Sequence, residues 1–429
     1  MIVRGSIMEL FIEVVPAEGV MHVRVKYLKD EVLTNHFYLN RDAEISYFSC
    51  DGQETPHESS NEEHPMFSGY TAQKVLAPNL RDCLELAYSL RLSGETGCCP
   101  YVREKIAPEF TFIRWETFCY PMFFEDWDSY RNTAFTACNI QLIVPKEYDV
   151  VASKKERDTA IGDSKKVVTY SHQDKGSNVF DCSVASYKKV KFSFGSVCFL
   201  SDLGAEKVQM VNDTMLKAIS YMNEHFGVRH IEPNLVFAAI PDGYGSFVCP
   251  HNNVVFVEEA TFSRAENLRA IVHEYIHLGW NPKVADSVQR ARFFDEAFTS
   301  YFEVRVMAAL FGGESFSAES KAEHAIDAIR RGEYKLVPIA EYGLHGYGGL
   351  SYTIGALCLH ELCLLLGEPV FDNVTKAFLE KYKDVPVDFD LFCREYIGLS
   401  GKDNRRKLSR FFDDWIYTCS GISEYINAE

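Results

Sequence analysis

The chain has 429 residues, of which 47% are hydrophobic and 14% aromatic, so it can bury a sizeable core, and its length suggests two or three domains rather than a disordered chain. Its 61 acidic residues against 44 basic ones give a net charge of -17. This charge disfavours nucleic acids and anionic membranes as partners.

The N-terminus and the cysteines bear on the cellular compartment. Glu9 and Glu13 interrupt the apolar N-terminal residues before a signal-like block can form. No run approaches about 18 apolar residues, so we expect no transmembrane helix. The 13 cysteines are odd in number and include no CxxC pair, which favours reduced thiols over a disulfide framework. We therefore expect a soluble, cytoplasmic protein.

The first part of the chain is predicted to be rich in β-strands. Apolar residues alternate with polar ones over residues 84–92, which places one apolar face toward a core. A second strand is predicted at residues 137–144. The polar stretches 51–65 and 152–176 are interpreted as solvated loops or hairpin tips.

From about residue 205 the apolar period becomes helical. A helix is predicted over residues 211–226 and ends at Gly227, a plausible C-terminal cap. Ser263 and Glu266 form an S-x-x-E capping box that is predicted to open a helix through residue 278. Strands are predicted at 235–240 and 254–257, and further helices at about 294–311, 352–366, 371–382 and 406–417. The fold class is therefore α+β, with a β-rich domain over 1–203 and a mainly helical domain over 204–429.

His273, Glu274 and His277 form an H-E-x-x-H pattern inside the predicted helix. Residues four apart lie one turn above each other, so both imidazoles can reach one metal ion. Glu274 is off that line and is free to take a proton from a zinc-bound water. The plainer alternative is a pair of histidines satisfied in a core.

Glu296 is a third candidate ligand. Residues 278–295, eighteen in number, separate it from His277, and it lies on the next predicted helix. Three protein ligands leave the fourth position of a tetrahedral zinc open, as in catalytic sites. If Glu296 were only a surface charge, the ligand types, their helical placement and the third carboxylate would coincide by chance. The sequence predicts one zinc per chain, held by His273, His277 and Glu296.

These motifs resemble those of the aminopeptidase N and leukotriene hydrolase family of gluzincin zinc metallopeptidases. H-E-x-x-H, eighteen residues and then Glu is the signature of that family. Residues 295–303, Asp-Glu-Ala-Phe-Thr-Ser-Tyr-Phe-Glu, are similar to its Asn-Glu-Gly-Phe-Ala-Ser-Tyr-Phe-Glu helix. Further similarity lies in Glu-His-Phe-Gly at 224–227, Ser-Tyr-Thr-Ile-Gly-Ala at 351–356 and Phe-Phe-Asp-Asp-Trp-Ile at 411–416. The resemblance covers residues 200–429 well and residues 80–200 more weakly.

The resemblance implies an N-terminal β-saddle domain packed on a thermolysin-like, mainly helical zinc catalytic domain. It also implies that Tyr352 donates a hydrogen bond to the oxyanion formed when water attacks a carbonyl. From the residue pattern alone, Tyr352 is a helix-packing residue. Tyr347 is a weaker candidate. Glu303 would hydrogen-bond a metal-ligating histidine or else be a solvated charge.

Two departures from the family concern substrate binding. The family holds the free α-amine of its substrate with the Glu of a Gly-Ala-Met-Glu-Asn strand, whereas residues 245–250 here read Gly-Ser-Phe-Val-Cys-Pro and contain no carboxylate. Glu258 and Glu259 are nearby in sequence but lie past the following strand. The chain also stops where the family's catalytic domain ends, before the helical domain that closes the cleft in most members. We therefore expect a more open site, or one covered by a homo-oligomer or a partner subunit.

The favoured hypothesis is a zinc-dependent hydrolase that cleaves a peptide or amide bond in a peptide or small amide-type substrate, with diverged recognition of the substrate N-terminus. A hydrolase of non-peptide amides, esters or epoxides is an alternative, because the family contains an epoxide hydrolase. A glycyl-aminopeptidase-like gluzincin fits the eighteen-residue spacing less well. A non-catalytic binding or scaffold protein would have no need of the full set of candidate residues, which are His273, Glu274, His277, Glu296 and Tyr352.

Overall fold

The computed structural model describes residues 7–28, 34–63, 69–78, 80–94, 103–125, 127, 137–152, 155–172, 180–227, 235–249, 253–280, 284, 291–313, 316–382 and 385–428. The chain divides into two compact units. The N-terminal unit comprises Met1–Asp202 and Asn234–Glu259, and the helical unit comprises Leu203–Pro233 and Ala260–Glu429. The two predicted domains differ from these units in one respect. The strands within residues 235–258 cluster with the N-terminal unit, because Leu235–Ile240 pairs in parallel with Gly195–Phe199.

The described part of the N-terminal unit consists of strands that form four sheets. The strands are β1 Ile7–Val15, β2 Val20–Leu28, β3 His36–Asn40, β4 Glu44–Cys50, β5 Gln53–Glu54, β6 Glu58–Glu63, β7 Thr71–Leu76, β8 Cys83–Arg91, β9 Lys105–Ile106, β10 Thr111–Ile113, β11 Ala137–Pro145, β12 Asp149–Val151, β13 Lys155–Ile161, β14 Lys165–His172, β15 Cys182–Ala185, β16 Lys188–Phe192, β17 Gly195–Phe199, β18 Leu235–Ile240, β19 Phe247–Cys249 and β20 Val254–Glu258.

The largest sheet has eight strands in the order β13-β14-β11-β1-β2-β8-β4-β5. Strands β1 and β11 pair in parallel, and the other pairs are antiparallel. The predicted alternation is confirmed in β8, where Leu84, Leu86, Tyr88 and Leu90 are buried against the core, and the strand predicted at 137–144 is confirmed as β11. The interpretation of 51–65 and 152–176 as solvated loops or hairpin tips was wrong over β5, β6, β13 and β14.

The helical unit begins with α1 and continues with helices joined by short segments. The helices are α1 Gly204–Phe226, α2 Arg269–Gly279, α3 Phe298–Phe311, α4 Ala318–Arg330, α5 Ile354–Leu366, α6 Glu368–Tyr382, α7 Phe389–Leu399, α8 Arg405–Phe412 and α9 Ser420–Ala428. Two π-helical turns, Phe293–Ala297 and Asp413–Tyr417, precede α3 and follow α8. Short 3-10 turns at Ala265–Leu268 and Gly348–Tyr352 lead into α2 and toward α5.

The helix ends show which local predictions were correct. Gly227 follows α1 with a φ of 66°, the left-handed conformation predicted for a C-terminal cap. The predicted capping box at Ser263 was wrong, because its hydroxyl donates to the carbonyl of Ala260, 2.6 Å away, instead of receiving a backbone N–H. The approach to α2 is therefore a 3-10 turn without a side-chain cap.

Aromatic side chains fill the core around the π-helical turn Phe293–Ala297. Phe293 and Phe294 contact Phe389 and Phe392 of α7 at centroid distances of 5.2 to 6.1 Å. Trp280, which follows α2, is 1% exposed, and its indole N–H donates to the carbonyl of Phe294 at 2.6 Å. The end of α2 is thus bonded directly to the turn that carries Glu296.

Among the residues that the structure describes, one helical stretch, Gly348–Leu366, is long and apolar enough to cross a membrane by length and composition. The sequence-based expectation had not identified it, because Ser351, Thr353, His360 and Glu361 interrupt its apolar residues. Within it, 61% of the most apolar window is buried inside the protein, as in the core helix of a globular domain. Its buried side chains include Ile354, Leu357, Leu359 and Leu362.

Candidate active site

Helix α2 carries both candidate histidine ligands on one face. The rings of His273 and His277 lie one turn apart, with centroids separated by 5.0 Å. Ile271, Val272 and Ile276 are fully buried and anchor the helix in the core. The two imidazoles are thereby held in a fixed relation, as the four-residue spacing predicts.

Glu296 meets the two histidines from the π-helical turn. Its Oε2 lies 3.2 Å from Nε2 of His273 and 3.4 Å from Nε2 of His277, and the residue is 3% exposed. Two ligand atoms of a tetrahedral zinc, each about 2.0 to 2.1 Å from the ion, are about 3.3 Å apart. The three atoms therefore have the chemistry and the spacing of a zinc ligand set.

Both histidines are backed by carboxylates on their other ring nitrogen. His273 Nδ1 lies 3.1 Å from Oε2 of Glu303, and His277 Nδ1 lies 3.0 Å from Oδ1 of Asp295. When each Nδ1–H donates to its carboxylate, the Nε2 lone pair of the neutral imidazole is available for a metal ion shared with Glu296. Of the two interpretations of Glu303, the hydrogen bond to a histidine is the one observed.

Opposite charges within this cluster shift the pKa values of its groups. Burial lowers the pKa of His277, but Asp295 and Glu296 outweigh it and raise that pKa well above its usual value. Burial raises the pKa of Glu303, but Lys321, whose Nζ is 2.7 Å away, and His273 outweigh burial and hold it at about 2. In the absence of a metal the carboxylates are therefore ionised and paired with cationic partners.

Glu274 and Tyr352 lie beside the same cluster. Glu274 follows His273 on α2, and burial raises the pKa of its carboxyl, against the opposing effect of the two histidines. The Tyr352 ring stacks on His273 with centroids 5.9 Å apart and planes at 12°. Burial and the negative charge of Glu296 raise the pKa of Tyr352, so its hydroxyl stays protonated.

Tyr347 has different surroundings from Tyr352. Its hydroxyl accepts a weak hydrogen bond from the backbone N–H of Lys335 at 3.4 Å. Its ring packs edge-on against Tyr334 at 5.2 Å and lies 5.7 Å from the ring of His345. The described contacts therefore associate Tyr347 with this aromatic group, while Tyr352 contacts His273.

Comparisons with known proteins agree with this geometry. The model of the Peptidase family M1 domain matches residues 210–415, which include every residue of the cluster. This region is an M1 peptidase domain. Residues 210–415 are accordingly those of a zinc metallopeptidase-like hydrolase domain. A search of curated protein sequences found no match.

Solved structures show that the M1 resemblance extends to the fold of nearly the whole chain. Native yeast LTA4 hydrolase superposes with a TM-score of 0.65 at 13% identity, over 96% of this chain and 67% of that one. An M1 zinc metallopeptidase from Deinococcus radiodurans superposes with a TM-score of 0.60 at 16% identity, over 95% of this chain and 93% of that one. The predicted α+β architecture is thus confirmed.

The two glutamates considered as replacement amine anchors have hydrogen-bond partners within the N-terminal unit. Oε1 of Glu258 accepts the backbone N–H groups of Gly243 and Gly245 at 2.9 and 2.8 Å. Glu259 accepts the backbone N–H groups of Leu200 and Ser201 at 3.1 and 3.0 Å. Both carboxylates therefore hold loops together. Pro250, at the end of the stretch without a carboxylate, lies outside the described residues.

Four polar residues of the M1 site were not predicted from the sequence. They are Arg292, Asp295, Thr299 and Lys321. Asp295 had a signal, because it stands beside Glu296 where the resembling motif has Asn. Thr299 Oγ1 lies 3.2 Å from Nδ1 of His277, and its position one turn after Asp295 was a second, weaker signal.

Proposed function

We propose that this M1 protein hydrolyses a peptide or amide bond, with His273, His277 and Glu296 holding one zinc ion. The observation that carries the proposal is the convergence of two imidazole Nε2 atoms and one buried carboxylate oxygen on one point. A binding protein without turnover has no use for a buried set of ligand atoms beside a free carboxyl and a phenol. This set favours catalysis over a scaffold role.

The residues divide the reaction between them. Bound zinc supplies Lewis acidity toward the substrate carbonyl and lowers the pKa of water at its open position. Glu274 accepts the proton of the attacking water and returns it to the leaving nitrogen. Burial raises the pKa of Glu274 above the usual value of a carboxyl, which makes its carboxylate a stronger base. Tyr352 keeps its proton and donates a hydrogen bond to the oxyanion.

The substrate N-terminus is recognised differently from that of a general aminopeptidase. An α-ammonium that enters a partly desolvated cleft without a carboxylate partner costs several kcal/mol. Residues 245–250 provide no such group, and the hydrogen bonds of Glu258 and Glu259 are used within the N-terminal unit. We therefore assign to this enzyme substrates whose amine is acylated, blocked or absent.

The test compares matched substrates on the zinc-loaded protein. Aminoacyl anilides and their N-acetylated counterparts are assayed under identical conditions, with zinc measured by elemental analysis. We expect about one zinc per chain and turnover of the acetylated set at least as fast as that of the free-amine set. Glu274→Gln should retain zinc and lose both activities, because the amide has the shape of the carboxylate but does not accept the proton.

Each contrary outcome removes a different part of the proposal. Fast turnover of free amines that acetylation abolishes would overturn the substrate assignment. Stoichiometric zinc without turnover of either set would overturn amide hydrolysis and favour the ester or epoxide alternative. Absence of zinc after gentle purification would overturn the ligand assignment itself.

We also propose a cytoplasmic location. Apart from Cys50, the cysteines whose side chains the structure describes are free, and most of them are buried. Free buried thiols persist in a reducing compartment. Fractionation of the native source tests this proposal, since recovery with secreted or membrane proteins would contradict it.

A further inference from the structure

Arg292 stands at the entrance of the π-helical turn in an unusual backbone conformation. Its φ is 54°, in the left-handed region that few residues other than glycine adopt. Neighbouring bonds hold it there. Its carbonyl accepts the backbone N–H of Glu296 at 2.9 Å, and the preceding carbonyl, of Ala291, accepts the hydroxyl of Ser351. This conformation directs the Arg292 side chain back over the turn that it precedes.

The guanidinium of Arg292 reaches three residues of the site. One terminal N–H₂ group donates to Oε1 of Glu296 and lies 3.3 Å from Oδ2 of Asp295. The guanidinium carbon lies 5.7 Å from the centroid of the Tyr352 ring. The side chain is 42% exposed and that of Glu296 only 4%, so the arginine covers the buried carboxylate from the outer side.

The two oxygens of Glu296 thus have different partners. Oε2 faces both histidine Nε2 atoms, and Oε1 is bonded by Arg292. We propose that Arg292 is a positioning residue that keeps Oε1 away from the metal, so that Glu296 binds zinc through Oε2 alone. A carboxylate bound through one oxygen leaves a coordination position open for water and substrate, whereas one bound through both occupies it.

The local charge explains why a cation is needed here. Asp295, Glu296 and Glu303 place three carboxylates around two histidines. Asp295 carries a charge where the resembling family has a neutral Asn. Arg292 bonds both Asp295 and Glu296, and its several N–H groups allow it to serve both at once. It therefore balances the additional charge at the position where Glu296 must be oriented.

The experiment uses the full-length protein with Arg292→Gln and Arg292→Lys. The control is Arg331→Gln, which removes an exposed arginine paired with Glu333 at 2.6 Å on a helix end away from the ligands. Zinc affinity is measured by competition with a chelator. The visible absorption of the cobalt-substituted protein reports coordination number, because its intensity falls when a fifth ligand atom binds. Circular dichroism of the metal-free proteins reports whether each variant folds.

We expect Arg292→Gln to bind zinc at least as tightly as the unmodified protein and to lower the cobalt absorption, because loss of the guanidinium frees Oε1 of Glu296 to bind as a fifth ligand atom, with Arg292→Lys in between and Arg331→Gln unchanged. If Arg292→Gln folds and matches the control in zinc affinity and in cobalt spectrum, the proposal is overturned. Weaker zinc binding in Arg292→Gln with an unchanged cobalt spectrum would overturn it too. The proposal rests on the zinc site proposed above, and the experiment distinguishes failure of one from failure of the other. If the unmodified protein binds no zinc, only the zinc site is refuted. If Arg292→Gln does not fold, an Arg292→Lys spectrum identical to that of the unmodified protein counts against positioning.

Discussion

Tyr352 lies beside the candidate metal ligands, where its hydroxyl can donate a hydrogen bond to the oxyanion. Its ring stacks on His273, and that contact uses the carbon face and not the oxygen. Tyr352→Phe keeps this stacking and deletes only the hydrogen-bond donor. We expect kcat to fall by about two to three orders of magnitude with KM little changed, the pattern of an interaction made in the transition state.

Zinc content provides the control for Tyr352→Phe, because an unchanged metal stoichiometry shows that the site is intact. Steady-state kinetics on the preferred substrate set measure the effect. Kinetics close to those of the unmodified enzyme would return Tyr352 to a packing role.

At the residue scale, the sequence predicted the site residues that share one helix. It did not predict the contacts that form only in the folded protein. His273 and His277 were predictable because residues four apart on a helix lie on the same face. Arg292 was not, because its contact with Glu296 depends on a left-handed φ that no residue pattern specifies. Lys321 reaches Glu303 from a different helix, so only the tertiary fold reveals that pair.

Among the elements, α5 and the π-helical turn Phe293–Ala297 approach each other closely at Gly355. A Cβ added at Gly355 would lie 2.7 Å from the Cβ of Ala297, closer than real side chains come. The resembling family has Gly at the position of Ala297, so the methyl group there depends on the absence of a side chain at Gly355. This contact sets the distance between the helix after Tyr352 and the turn that carries Glu296.

We expect Gly355→Ala to lower the free energy of unfolding by about 1 to 3 kcal/mol through overpacking. Ala297→Gly in the same chain should recover most of that loss, since it removes the other methyl group. Gly398→Ala is the matched control, because Gly398 also lies in a helix and has no atom within 4 Å of an added Cβ. It should be neutral or stabilising by up to about 1 kcal/mol. Urea unfolding measures all four proteins, and equal loss in the single and double variants would contradict the proposed contact.

Elements were predictable where one face is apolar. Strand β8 and helix α1 follow that rule, and their predicted positions were confirmed. Strand β6 was missed because nearly all its side chains are exposed, so no alternation marks it. Helix α4 was missed because its buried face consists mainly of alanines, which produce a weak apolar signal although Ser317 caps the helix.

At the scale of the whole molecule, the N-terminal unit contains an ionisable group buried far from any candidate ligand in the sequence. Glu104 is 3% exposed, and its Oε1 accepts a hydrogen bond from the Asn40 amide at 3.1 Å. Its Oε2 meets the hydroxyl of Thr117, which also lies 2.7 Å from the carbonyl of Arg114. A hydroxyl has one hydrogen, so a protonated Glu104 that donates to Thr117 satisfies all these groups.

Burial raises the pKa of Glu104 from 4.5 to about 8, although the hydrogen bonds that Thr117 and Asn40 donate to the ionised carboxylate oppose the shift. The folded protein therefore keeps this proton between about pH 4.5 and pH 8, whereas the unfolded chain releases it. Because the folded state binds more protons in this window, the contribution of Glu104 to stability is fully present below pH 4.5 and falls as pH rises, by up to about 1.4 kcal/mol per pH unit.

Glu104→Gln copies the neutral acid and should flatten the fall in unfolding free energy between pH 5 and pH 8. The control is Glu109→Gln, on an exposed residue of the same unit, which should leave that fall unchanged. Urea unfolding of the three proteins at several pH values, followed by a probe in the N-terminal unit, measures the slopes. Parallel slopes for Glu104→Gln and the unmodified protein would show that Glu104 is ionised in the folded state.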